Sequence, residues 1–72
     1  MGTLHPIATQ LDRQEYLLIG RQSGPDGEEY VTSCLRGLNR ALHHAQEMNR
    51  LGWTVEIQGT GGSDYRRTYH AQ

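Results

Sequence analysis

Seventy-two residues with seven arginines, eight carboxylates, four histidines and a net charge of −1 hold one domain with a thin core. Stability at this size is on the order of 3–5 kcal/mol, so a homodimer or a large partner would add apolar burial the chain cannot supply alone. The near-neutral balance excludes a globally basic nucleic-acid binder and an acidic nucleic-acid mimic.

The lone cysteine, Cys34, excludes an internal disulfide and fits a reducing cytoplasm. No apolar run approaches a membrane-spanning length, and the N-terminus lacks the charged-then-apolar layout of a leader peptide. The expectation is a soluble protein of the bacterial cytoplasm with no membrane partner. Charge is uneven along the chain. Residues 1–30 set Arg13 and Arg21 against Asp12, Glu15, Asp26, Glu28 and Glu29, whereas residues 31–72 set Arg36, Arg40, Arg50, Arg66 and Arg67 against Glu47, Glu56 and Asp64. Every basic residue is arginine, a bias that GC-rich coding produces and that also suits bidentate recognition of carboxylate or phosphate.

Residues 1–13 show no sustained period and read as a flexible N-terminal arm, with residues 14–72 forming the single domain. Glu15-Tyr16-Leu17-Leu18-Ile19-Gly20-Arg21 is apolar without alternation, as in a central strand covered on both faces. Ser23-Gly24-Pro25-Asp26-Gly27 is dense turn chemistry, and Glu28-Glu29-Tyr30-Val31-Thr32-Ser33-Cys34 is rich in β-formers. Together they predict a hairpin with a loop of about five residues.

At 100° per residue, Leu35, Leu38, Ala41, Leu42, Ala45 and Met48 share one helical arc, with Arg36, Asn39, Arg40, His43, Glu47 and Arg50 opposite. Gly52 suits the position just past the helix, where a left-handed conformation is needed. Asn49 interrupts the apolar arc in the last turn, where its amide can bond a free carbonyl. Trp53-Thr54-Val55-Glu56-Ile57-Gln58 alternates, with Trp53, Val55 and Ile57 toward the helix. A turn at Gly59–Asp64 leads to a fourth strand, Tyr65-Arg66-Arg67-Thr68-Tyr69-His70. The predicted class is α+β: ββαββ, one amphipathic helix packed on a four-stranded antiparallel sheet of order 2-1-3-4. A single helix leaves one sheet face uncovered, so either Tyr16 and Leu18 or Leu17 and Ile19 must form an exposed apolar patch suited to contact.

No catalytic constellation emerges. His43 and His44 point about 100° apart on a helix and share no metal-ligand spacing with His5, His70 or Cys34, so no metal and no cofactor is expected. Cys34 reads as a small buried or edge thiol rather than a nucleophile. Gly59-Thr60-Gly61-Gly62-Ser63 precedes a strand, not the helix a phosphate loop requires. Two clusters suit binding. Arg36, Arg40 and Arg50 share a helical face, either as a solvated surface with local Glu47 pairs or as a contact for an acidic protein or phosphate backbone. Tyr65, Arg67 and Tyr69 share one strand face beside Arg66. Tyrosine and arginine are enriched at interface hot spots and stack on unpaired bases, and arginine also keeps an edge strand soluble.

Gly37-Leu38-Asn39-Arg40-Ala41 opening a helix, followed by the strand Thr54-Val55-Glu56-Ile57, resembles small phage-borne proteins of a type I-F anti-CRISPR family, over residues 28–70. A family of small bacterial β-β-α-β proteins has a similar outline. The anti-CRISPR resemblance implies one helix on an antiparallel sheet. It also implies binding to the backbone subunits of an RNA-guided surveillance complex, which blocks target DNA. The chain departs from that family in lacking lysine and in its longer N-terminal arm, and Arg36, Arg40, Arg66 and Arg67 are the candidates for the contact. The expected function is therefore a non-enzymatic inhibitor that occupies a site on a larger host nucleoprotein complex. Its partner residues would be Arg36, Arg40, Arg50, Tyr65, Arg66, Arg67 and Tyr69. The alternatives are a single-stranded nucleic-acid binder and a structural homodimer.

Overall fold

The computed structural model describes residues 14–71; the expected arm over residues 1–13 lies outside the described residues. Two ten-residue strands, β1 (Glu15–Gly24) and β2 (Gly27–Arg36), precede a thirteen-residue helix, α1 (Leu38–Arg50), and two shorter strands, β3 (Thr54–Gly59) and β4 (Arg66–Tyr69). All pairings are antiparallel, and the sheet order is β2-β1-β3-β4, as the alternation of elements predicts. Joining β2 to β3 across the intervening β1 requires a crossover, and α1 supplies it while packing on one face of the sheet.

Directly opposed residues in an antiparallel ladder project to the same side, so the register assigns every side chain. Leu18 opposes Ser33 and Ile57, and Gly20 opposes Val31 and Val55; these face the helix. Leu17 opposes Cys34 and Gln58, Ile19 opposes Thr32 and Glu56, and Arg21 opposes Tyr30 and Thr54; these face away. The core lies between α1 and the first set: Tyr16, Leu18, Val55 and Ile57 from the sheet, with Ala41, Ala45 and Met48 from the helix. The two alanines let the helix axis approach the sheet. Gly20 clears space for Met48, whose Cε takes the place that an added Cβ would need.

Both ends of α1 depend on glycine. Gly37 sits at φ 93° and ψ 132°, a region closed to side chains with a Cβ, and donates its N–H to the Gln14 carbonyl at 2.9 Å. It contributes no side-chain cap. At the other end, Gly52 at φ 95° donates to Asn49 O (3.1 Å) and Trp53 donates to Met48 O (3.0 Å). This pair of bonds closes the helix in a left-handed turn. Because the chain must turn sharply from β2 into α1, Gly37→Ala is expected to lower stability by about 1–3 kcal/mol, read as a lower urea midpoint at unchanged slope.

Three sequence expectations differ in detail. The first hairpin closes through two residues, Pro25 and Asp26, rather than about five, because Gly24 and Gly27 remain paired in the ladder. Pro25 holds a negative φ, and Gly27, at φ 120°, absorbs the strain of closure. Leu35 and Arg36 belong to β2, not to the helix. Finally, β1 is central by pairing, but among the described residues only α1 covers it, on one face, and Leu17 and Ile19 on the other are half-buried.

Candidate functional site

The face turned away from α1 carries an apolar centre with a polar rim. Leu17 and Ile19 lie in its middle strand. Arg21, Tyr30, Thr54, Glu56 and Thr68 join Ile19 around a shallow depression of about 220 Å³. Tyr30 is 62% exposed on β2, directly across from Arg21 on β1. Among the described residues no second layer covers this face.

Two ion pairs lie on this face, one beside the depression at Glu56 and one at the far end of the β1–β2 ladder. Arg66 Nε meets Glu56 at 3.2 Å, and Arg36 meets Glu15 at 3.6 Å. Gln58 also donates to Glu56, and these bonds, with the charges of Arg66 and Arg21, hold the Glu56 carboxyl below its ordinary range. A lowered folded value means that Glu56 favours the fold above its unfolded pKa, and that this contribution fades as pH falls through the folded value. Tyr30 donates to Glu28 at 2.5 Å, and that carboxylate raises the phenol's pKa. The face is thus a mosaic of balanced charge around a small apolar centre.

The seven residues expected to bind a partner do not form one surface. Arg36 ends β2 on the open face and is not on the helix with Arg40 and Arg50; Arg66 is also on the open face, at the opposite edge. Arg40 and Arg50 lie on the outer side of α1, where Arg50 meets Glu47 at 3.6 Å. Arg67 and Tyr69 oppose Ile57 and Val55 and so project to the helix side. Tyr65 packs edge-on against the buried Tyr16, with ring centroids 5.4 Å apart and planes at 77°. Burial, with Tyr69 beside it, pushes the Tyr65 phenol up to about 12, so it stays neutral. Tyr65 and Tyr69 are therefore half-buried packing residues, and their rings are not free platforms for bases.

The chemical candidates resolve in the same way. Cys34 is exposed on the open face, with Sγ 3.6 Å from Glu15 Oε2. Desolvation and that carboxylate raise the thiol's pKa, the reverse of what an activated nucleophile needs. His43 and His44 are on α1, across the sheet from it. In the Gly59–Ser63 turn, Thr60 N–H donates to Glu15 O and Ser63 N–H to Thr60 O, so these amides are engaged rather than presented to an anion. Among the described residues no three His, Cys, Asp or Glu side chains come together as a metal site, and no helix is long and apolar enough to cross a membrane.

The adjacent pair Arg21 and Tyr30 was not singled out by sequence reasoning. The turn signal could have found it: closure at Pro25-Asp26 opposes residues whose numbers sum to 51, and 21 and 30 are such a pair. Comparison with known proteins finds no matching family model, no matching curated protein and no matching solved structure.

Proposed function

We propose that this protein is a non-enzymatic binding protein that docks its open sheet face on a larger macromolecule. In the version implied by the anti-CRISPR resemblance, the partner is a type I-F RNA-guided surveillance complex, which the protein inhibits by occupying a site. The observation that carries this reading is the face itself: half-buried Leu17 and Ile19, an exposed tyrosine beside an arginine, and a charged rim. An apolar centre inside a polar border, with an aromatic side chain and an arginine at its β2 side, is an arrangement found at protein interfaces. Base stacking on Tyr65 and Tyr69 is disfavoured, because both rings pack toward the core.

Co-purification with a type I-F complex tests the proposal. Tyr30→Ala is expected to weaken capture about tenfold or more, as loss of an aromatic anchor does. Arg66→Glu should cost less, since Arg66 is already engaged by Glu56. Both residues are exposed, so melting curves should stay near the parent's. Absence of capture, or capture indifferent to Tyr30, refutes the assignment.

A further inference from the structure

The two edges of the sheet are built differently. β4 is four residues long and carries Arg66 and Arg67, a short charged edge of the kind that resists pairing. β2 is ten residues long, contains no proline or lysine, and has no charged residue between Tyr30 and Leu35. It is exposed over most of its length, with Tyr30 and Val31 at 62% and 38%. Among the described residues no strand lies on its outer side. A long edge of this kind is a template for another strand.

We propose that β2 pairs antiparallel with β2 of a second copy, joining two sheets into one of eight strands. The proposal is independent of which partner the open face binds. Antiparallel self-pairing is the arrangement a two-fold axis generates. Only alternate residues turn their N–H and C=O groups to the free edge, so directly opposed residues must have numbers of the same parity. Among registers that use nearly the whole strand, one also matches charge. Centred on Thr32, it sets Glu28 against Arg36 of the other copy, twice by symmetry, with Tyr30 opposite Cys34 and Thr32 opposite itself. All of these lie on the open face, because Glu28, Tyr30, Thr32, Cys34 and Arg36 oppose Ser23, Arg21, Ile19, Leu17 and Glu15 of β1. On the helix side Val31 meets Ser33. Centring on Val31 instead sets Glu28 against Cys34 and carries Arg36 past the end of the strand, opposite the turn residue Asp26. In the chosen register Arg36 sits between its own Glu15, 3.6 Å away, and the incoming Glu28. The two open faces then become one continuous platform.

Charge exchange tests both the dimer and its register. Sedimentation equilibrium of the native chain should give twice the chain mass of 8.2 kDa. E28R alone sets the introduced arginine against Arg36 at both ends of the seam, and R36E alone sets the introduced glutamate against Glu28 at both ends. Each variant by itself should therefore shift toward monomer by about tenfold or more in dissociation constant, as like charges directly opposed do. An equimolar mixture restores opposite charges at both positions and should recover the dimer. In a C34S background, T32C should form a disulfide dimer on mild oxidation, since directly opposed Cα atoms lie about 4.5–5.5 Å apart, within disulfide reach. Y30C should form one only when Cys34 is retained. Melting curves of each variant confirm folding. A monomeric native chain at high concentration overturns the dimer; a native dimer whose charge variants fail to complement, or whose T32C form does not cross-link, overturns the register.

Discussion

Leu18→Ala is expected to lower stability by about 2–5 kcal/mol, enough to leave the chain largely unfolded at ambient temperature. Leu18 is fully buried in the central strand, opposite Ile57 on one side and Ser33 on the other, beneath the helix. Few side chains can relax into the space. Among the described residues the buried apolar set is seven, two of them alanine. Met48 and Trp53 are already drawn over Gly20, the next position on this face of β1. The loss is comparable with the on-the-order-of 3–5 kcal/mol that a domain of this size commands, so the variant has almost no margin. Urea denaturation followed by far-ultraviolet circular dichroism measures this directly. Leu17→Ala, on the open face of the same strand, serves as the comparison and should cost less than half as much, because Leu17 is only half-buried and water already reaches it.

The architecture was legible because its signals are periodic and redundant. The apolar arc from Leu38 to Met48, the alternation of Val55 and Ile57, and the glycine after the helix each match the observed elements. Asn49 fitted no apolar pattern, and its position in the last turn pointed to a carbonyl partner; the carbonyls it reaches lie beyond the helix, at Trp53 and at Tyr69 of β4, which helix position alone does not reveal. The boundary between β2 and α1 was ambiguous for a physical reason. Leu35 lies three residues before Leu38 and so suits the helical arc, yet it also alternates with Ser33 and Val31 as a strand residue facing the same side. Only the backbone of Gly37, turned to φ 93°, separates the two periods.

The candidate site was harder to read because it depends on register rather than composition. A five-residue loop over Ser23–Gly27 would oppose Gln22 to Glu28, a pairing sum of 50, whereas the observed sum is 51. That single step changes which face every β2 side chain occupies. With a sum of 50, Tyr30 would oppose Gly20 and lie beneath the helix; with 51 it opposes Arg21 and stands on the open face. The tyrosines that the sequence made prominent, Tyr65 and Tyr69, are instead held against the core by Tyr16 and the helix. The tight Pro25-Asp26 closure thus decides which aromatic side chain stands on the open face.

Asn49→Asp should be the most damaging near-isosteric change outside the apolar core, about 2–4 kcal/mol at neutral pH. Asn49 Nδ2 donates to Trp53 O at 2.7 Å and to Tyr69 O at 3.0 Å, so one amide ties the end of α1 to the entry of β3 and the last residue of β4. β4 is short and at an edge, and its own ladder to β3 runs only from Arg66 to Tyr69. Aspartate in the same place removes both donors, faces two carbonyl oxygens, and adds a negative charge at the negative end of the helix dipole. The fold therefore favours the protonated carboxyl, which can still donate one bond, and its folded pKa must rise above the unfolded value of about 3.9. The sign follows from linkage: the variant recovers part of its stability as pH falls through the raised folded value, and the full penalty applies above it. Asn49→Ala, which loses the bonds without adding a charge, should cost about 1–2 kcal/mol with no such dependence. Comparing the two in urea titrations at several pH values cancels acid effects elsewhere in the molecule. Aspartate should be worse than alanine at neutral pH, and the gap should narrow or close in acid. A gap independent of pH would mean that water, rather than the two carbonyls, receives the carboxylate. Hydrogen exchange should then find β4 as well protected in the aspartate variant as in the alanine one, instead of opening first.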